Sequence, residues 1–327
     1  MASQDLAPGR NLALELVRTT EAAAIAAARW LGRGDKLAAD QAAVDAMRTV
    51  LDGVDMDGIV VIGEGEKDEA PMLYNGEQVG NGQPPHTDIA VDPIDGTTLT
   101  SLGRPGAIAV IAAADRGSMY NPGSAVYMEK MAVGPMGAGI VDIRLPVERN
   151  LTALAKAKGT AVQDLTAVVL DRERHEGLIN QIREAGARIR LIPDGDVAGA
   201  IATAWPNSGV DILFGVGGTP EGVIAATALK AMGGDLQGKL WPRSEEERLV
   251  LLEEGHDLDK ILDLNDLVSS ENSFFAATGI STGDLLNGVR FAARRITTES
   301  LVMRSASGTV RLIETHHRHS KVDELGV

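Results

Sequence analysis

Six residues, Asp92-Pro93-Ile94-Asp95-Gly96-Thr97, place two carboxylates three positions apart and a hydroxyl just after them. Hard divalent cations take oxygen ligands, so such a pair can grip one or two Mg²⁺ or Mn²⁺ ions. A neighbouring hydroxyl can touch a water or a phosphate oxygen. Taken alone the same letters spell a surface turn, since Asp, Pro and Gly are common turn residues. Three further acidic spots also follow apolar runs. Glu64 and Asp68 fall in the loop after the run 58–62, Asp194-Gly195-Asp196 follows 188–192, and Glu221 sits in Gly217-Gly218-Thr219-Pro220-Glu221-Gly222. Sites in α/β sheets form where loops leave strand ends, and carboxylates gathered there repel one another unless cations bind. Each spot alone reads as a solvated turn; four of them leaving apolar strands point to a site.

The 217–222 segment is also a helix start, with Thr219 suited to the cap and Pro220 to the first helical position. Its glycines allow close backbone approach, and a helix N-terminus favours an anion. Glu221 there either holds a metal or satisfies the helix dipole. A dinucleotide-binding fingerprint fits poorly, because the third glycine is missing at its required spacing. Basic residues are scarce. Lys36 ends the polar turn 32–36, and Arg172 and Arg174 flank Glu173 after the run 166–170. Two arginines could clamp a second, non-reacting phosphate through bidentate bonds, or be ordinary surface charge. Tyr127 opens a strand and could bond a phosphate, or lie half-buried in the core.

The elements that must position these residues need more than one core, since 327 residues exceed the usual size of a single one. We expect a flexible tail over 1–10, a metal-binding lobe over 11–150 and an α/β lobe over 151–327. Helices are expected at 11–31 and 40–52, and strands at 58–62, 88–91, 107–113 and 127–133. The short links between these strands suggest a mainly antiparallel sheet. From 150 on, helices and strands alternate up to a helix over 220–232, the pattern of a parallel sheet. An exposed charged helix over 243–256 and a return to strands over 272–315 follow. A net charge of −15 with no long basic run excludes a duplex-binding surface. Aromatics at 3% argue against a base-stacking platform for single strands. Without cysteine there are no disulfides, thiolate nucleophiles or Cys-zinc sites. The N-terminus does not read as a signal peptide, and no stretch of about 18 apolar residues occurs, so the chain is expected in the cytoplasm and off the membrane.

The 92–97 motif is similar to the metal-binding signature of the lithium-sensitive sugar and inositol phosphatase superfamily. Four other segments narrow it: Trp30-Leu31-Gly32-Arg33-Gly34-Asp35-Lys36, the run from Gly63-Glu64-Gly65-Glu66-Lys67-Asp68 to Tyr74, Pro193-Asp194-Gly195-Asp196-Val197-Ala198, and 217–222. In this order, along residues 11 to 321, they resemble the bacterial class II fructose-1,6-bisphosphatase family. The resemblance implies a layered α/β/α/β/α sandwich of the sugar phosphatase type, in a homodimer or homotetramer. It implies Mg²⁺- or Mn²⁺-dependent removal of the 1-phosphate of fructose 1,6-bisphosphate in gluconeogenesis. Carried over residue by residue, the metal ligands would be Asp40, Glu64, Asp92, Asp95 and Glu221, and the catalytic positions Lys36, Asp68 and Thr97. Substrate contacts would come from Asp95, Gly96, Thr97, Tyr127, Arg172, Glu173, Arg174, Asp194, Gly195, Asp196 and Gly218. Metal-held water would be oriented by Thr97, aided by Asp68 or Lys36, for in-line attack. Two departures stand out: Glu173 replaces an expected proline, and 291–295 reads as a variable loop. Activity on sedoheptulose 1,7-bisphosphate, an inositol-type monophosphatase and a silent sugar-phosphate-binding regulator remain as rivals. The paired arginines favour a bisphosphate, and the carboxylates with Thr97 disfavour a pure binder.

Overall fold

A computed structural model describes residues 12–65 and 72–324 of the chain. Its first helix, α1 (Ala13–Ala28), buries Ala23, Ala24 and Ala27 beside Leu16 and Val17, side chains small enough for close approach to a sheet. The second, α2 (Lys36–Leu51), starts at residue 36 rather than 40, because the Asp35 carboxylate caps it by accepting from the Ala38 amide. Lys36 is thus the first residue of a helix, one turn before Asp40, and not the end of a turn.

The next strands are β1 (Asp57–Ile62), β2 (Gln78–Val79), β3 (His86–Asp95) and β4 (Ile108–Asp115), with α3 (Thr97–Leu102) between the last two. Then come β5 (Tyr127–Val133), α4 (Val147–Lys158), β6 (Thr166–Leu170), α5 (Glu176–Glu184), β7 (Arg188–Ile192), α6 (Asp196–Ala202), β8 (Ile212–Gly218), α7 (Thr219–Met232), β9 (Asp235–Leu240) and α8 (Glu245–Glu253). Strands β10 (Phe274–Gly279), β11 (Arg290–Ala292), β12 (Arg295–Arg304) and β13 (Thr309–Arg318) follow.

The strands form two mixed sheets. One runs β11-β12-β10-β4-β3-β1-β2, with β13 also on β12; the other runs β7-β6-β8-β5-β9. In the first, β1 and β3 are parallel and the other pairs antiparallel. In the second, β6 lies parallel to β7 and β8, while β5 is antiparallel to β8 and β9.

Chain order does not decide sheet membership. The expectation that 107–113 and 127–133 share a sheet is corrected: β5 enters the second sheet, and β10 to β13 return to the first. A hairpin needs a connection of a few residues, whereas 116–126 is long enough to cross between sheets. The 291–295 segment, expected as a loop, forms the hairpin of β11 and β12, with Phe291 opposite Ile296.

Alternation along the strands sorts the sheets into layers. On β4, Ala109, Ile111 and Ala113 pack under α1 and α2, while Ile108, Val110 and Ala112 face α7. On β5, Met128 and Ala132 face that same middle layer, and Met131 and Val133 face α4 and α5. The result is the expected α/β/α/β/α sandwich, with α6 and α7 between the sheets. Among the described residues no helix is long and apolar enough to cross a membrane.

Candidate functional site

Strands β1, β3, β6 and β8 end on a cleft of about 760 Å³. Asp40, Glu64, Asp92, Asp95 and Glu221 all line it. Gly63 turns β1 into the cleft: a Cβ there would lie 1.9 Å from the Leu73 carbonyl oxygen, so only glycine fits. The Glu64 amide then bonds that same oxygen at 2.9 Å.

Residues three apart on a regular strand point to opposite faces. Asp92 and Asp95 reach one cleft because the register of β3 against β4 slips between them, a bulge that re-aims side chains. The Asp92 carboxylate accepts from the Ile94 amide across that slip, at 3.0 Å. The motif read as a turn is therefore a bulged strand end, and the chain turns only at Gly96. Gly96 has φ +102°, a left-handed conformation that glycine adopts without strain. It starts α3 with Thr97 as the first residue.

These carboxylates are held at high electrostatic cost. Asp92 is pushed well up by burial first, then by Asp95, Glu221 and Glu64. Asp95 is pushed up by burial, then by Asp196, Glu221 and Asp194. Burial raises Glu221 and Asp40. Glu64 is raised to about 8 by burial, with repulsion from Asp40 and Glu221 added. Asp95 Oδ2 and Glu221 Oε2 are buried without a hydrogen-bond partner. Buried polar atoms are normally paired, and an all-oxygen, acidic donor set with orphaned oxygens fits a hard divalent cation. Among the described residues no three acidic side chains yet close on one ion position, so the carboxylates ring the cleft as separate donors.

Glu221 lies in the first turn of α7 and folds back over Gly218, where a Cβ would meet its Oε2 at 1.6 Å. The helix begins one residue earlier than read: Gly218 is the cap, Thr219 the first helical residue, and the Thr219 hydroxyl is buried without a partner.

The same cleft is lined by Gly96, Thr97, Tyr127, Arg172, Arg174, Asp194, Gly195, Asp196 and Gly218. The Thr97 hydroxyl makes a long 3.3 Å bond to the Ile94 carbonyl. Lys36 is not among the lining residues; it donates to the Thr98 hydroxyl at 2.9 Å. Asp194 accepts from the Thr98 amide and from Arg172. Arg172 also donates to the Pro193 carbonyl at 2.6 Å. Arg174 donates to the Val216 carbonyl and stacks 5.0 Å from the Tyr127 ring centroid. Both guanidiniums are therefore anchored on the backbone. Glu173 is exposed in the short turn Glu173–His175 and is not among the lining residues. Asp68 lies outside the described residues.

Two residues that matter here were not singled out in the sequence. His175 is buried: its Nδ1 bonds the Leu170 carbonyl and its Nε2 accepts from the Val216 amide, locking the arginine turn to β8. Burial pushes its pKa down, which suits a neutral ring accepting at Nε2. Lys130 is 3% exposed and pairs with Asp196 at 2.7 Å. Its signal was present: in the strand 127–133 it shares the face of Met128 and Ala132, where a lysine is out of place.

Residues 10–317 match the family model described as bacterial fructose-1,6-bisphosphatase, glpX-encoded. The chain is 46% identical to fructose-1,6-bisphosphatase 1 class 2 of Escherichia coli strain K12, over 96% of this chain and 97% of that protein. It is equally similar to the fructose-1,6-bisphosphatase class 2 proteins of Escherichia coli O6:H1 and Shigella flexneri, with the same coverage.

Proposed function

The chain belongs to the bacterial, glpX-encoded fructose-1,6-bisphosphatase family, and from that premise we propose that it hydrolyses the 1-phosphate of D-fructose 1,6-bisphosphate, giving fructose 6-phosphate and phosphate for gluconeogenesis. The observation that carries the reading is the gathering of mutually repelling, half-buried to buried carboxylates in one cleft, with orphaned oxygens on Asp95 and Glu221. Asp40, Glu64, Asp92, Asp95 and Glu221 would hold Mg²⁺ or Mn²⁺. Such an ion, when bound, neutralises phosphoryl charge and lowers the pKa of a water.

The chain's own residues do the rest. Thr97, with its long bond to Ile94, turns its hydroxyl to hold the attacking water in line. Lys36 fixes the first turn of α3 through Thr98, and Asp68 is assigned to the same water. Asp194 and Asp196 accept sugar hydroxyls. Arg172, Arg174 and Tyr127 hold the remote phosphate, each guanidinium pre-positioned by its carbonyl so that less order is lost on binding. Bisphosphate preference follows from that second anchor. We place the family within the lithium-sensitive phosphatase superfamily on the 92–97 motif, and the protein in the cytoplasm as a homodimer or homotetramer.

Phosphate release tests the reading, with Mg²⁺ and with Mn²⁺, from fructose 1,6-bisphosphate, sedoheptulose 1,7-bisphosphate and inositol 1-phosphate. Release from fructose 1,6-bisphosphate supports it. Release from inositol 1-phosphate alone points to a monophosphatase, and binding without release points to a regulator.

A further inference from the structure

Lys130 sits in the middle of β5, flanked in register by Gly215 on β8 and Gly238 on β9, neither of which has a side chain. Its stem crosses the face of Gly222, where a Cβ would lie 3.2 Å from Lys130 Cδ. Its ammonium ends between two segments, 2.7 Å from Asp196 Oδ2 at the start of α6 and 2.9 Å from the Gly218 carbonyl oxygen at the end of β8. Asp196 is itself 7% exposed. The pair lies so tightly against the end of β8 that a Cβ on Gly217 would come 1.9 Å from Asp196 Oδ2 and 2.9 Å from Lys130 Nζ. One segment, 193–196, leads into α6 and carries the carboxylates assigned to the sugar; the other, 217–221, is the junction of β8 with α7 and carries Glu221. No backbone pairing joins β7 to β8, because β6 lies between them.

We propose that Lys130 is a positioning residue, a strut whose ammonium ties the sugar-contact segment to the cation-holding junction and so sets the affinity for the sugar bisphosphate. The inference rests on the functional reading above for its ligand, though not for its geometry. A buried charge removed from one side leaves the other uncompensated, and Asp196 must then turn away or draw in water. Gly218 loses the donor to its carbonyl at the same time. Distances between the two segments then fluctuate, and a ligand that bridges them binds more weakly.

The chain has no cysteine, so Lys130→Cys supplies a unique thiol. Alkylated in denaturant with 2-bromoethylamine and refolded, it regains an ammonium at lysine length; iodoacetamide gives a neutral adduct. Wild type taken through the same cycle is the control. Charge-assisted hydrogen bonds of this kind warrant a rise in KM for fructose 1,6-bisphosphate of about tenfold in Lys130→Cys at saturating Mg²⁺, with kcat changed less. The aminoethyl adduct should restore KM and the neutral adduct should not. A merely structural lysine would lower the active fraction, and with it kcat, and leave KM alone. Unchanged KM, or equal rescue by both adducts, overturns the proposal. Gly217→Ala keeps the lysine and wedges the pair apart, so it should raise KM as well; an unchanged KM there also counts against the strut. Amide exchange over 194–198 and 216–222 gives a readout without turnover: faster in Lys130→Cys and in Gly217→Ala, and slowed again only by the aminoethyl group. Exchange unaffected by Lys130→Cys refutes the strut. Wild-type phosphate release separately decides the functional reading.

Discussion

Glu64→Gln should make the metal-free protein more stable and the metal-loaded protein less so. Glu64 is held up at about 8, from an ordinary 4.5, by burial and by repulsion from Asp40 and Glu221. A carboxyl whose pKa is raised on folding contributes its full stability below the unfolded value and loses it as pH climbs through the folded one. The window here is pH 4.5 to 8. At about 1.4 kcal/mol per pH unit, the loss by pH 7.5 is at most about 4 kcal/mol. Glu64 keeps some contact with solvent, and screening brings the expected figure to about 2 kcal/mol. Glutamine keeps the shape and removes the charge. With an unfolding entropy of about 2 cal/mol/K per residue over 327 residues, the variant should melt about 3 °C above wild type in EDTA at pH 7.5. The gap should shrink below about 1 °C by pH 5, where both forms are neutral in the folded state. With saturating Mn²⁺ the order reverses, because wild type gains the binding free energy of the cation and the variant gains less. Thermal melts across pH 5–8, with EDTA and with Mn²⁺, read all of this. A variant that melts at or below wild type in EDTA at pH 7.5, or a gap independent of pH, refutes the claim that Glu64 is strained for want of a cation.

Thr97→Ala should lower kcat by about a hundredfold, the size expected for losing one group that orients the reacting water, with metal and substrate binding retained. Near-normal kcat in a coupled phosphate-release assay removes Thr97 from the mechanism. Arg172→Ala should mainly raise KM for fructose 1,6-bisphosphate by about tenfold, because it frees the Pro193 carbonyl and Asp194 as well as removing a phosphate donor. A fall in kcat at constant KM would show that Arg172 acts on the reacting phosphate instead.

Short-range physics made part of this protein legible in one dimension. The acidic residues beside Gly63, at 92–97 and at 194–196, and Glu221 beside its glycines, stand out because carboxylates beside glycines at the ends of apolar runs serve no core. The helix read from 220, one residue after its true start, and the alternation after residue 150 follow from local periodicity and capping. What the letters left open are distances between segments far apart in sequence. The expected single sheet of the first lobe broke because the 116–126 link is long enough to carry β5 across to the second sheet, where it pairs with β8 and β9. That exchange brings Lys130 to Asp196 and Gly218, and Tyr127 beneath Arg174. The 92–97 motif looked like a turn because Asp, Pro and Gly make turns, yet pairing with β4 holds it extended, and a slip of register aims both aspartates into one cleft. His175 carried no signal in the sequence and is a buried link between two backbone segments. Residue types thus determined which chemistry the chain can perform; tertiary structure decided which groups share the cleft, which oxygens go unpartnered, and what charge stands behind them, because burial and repulsion exist only once distant segments are packed together.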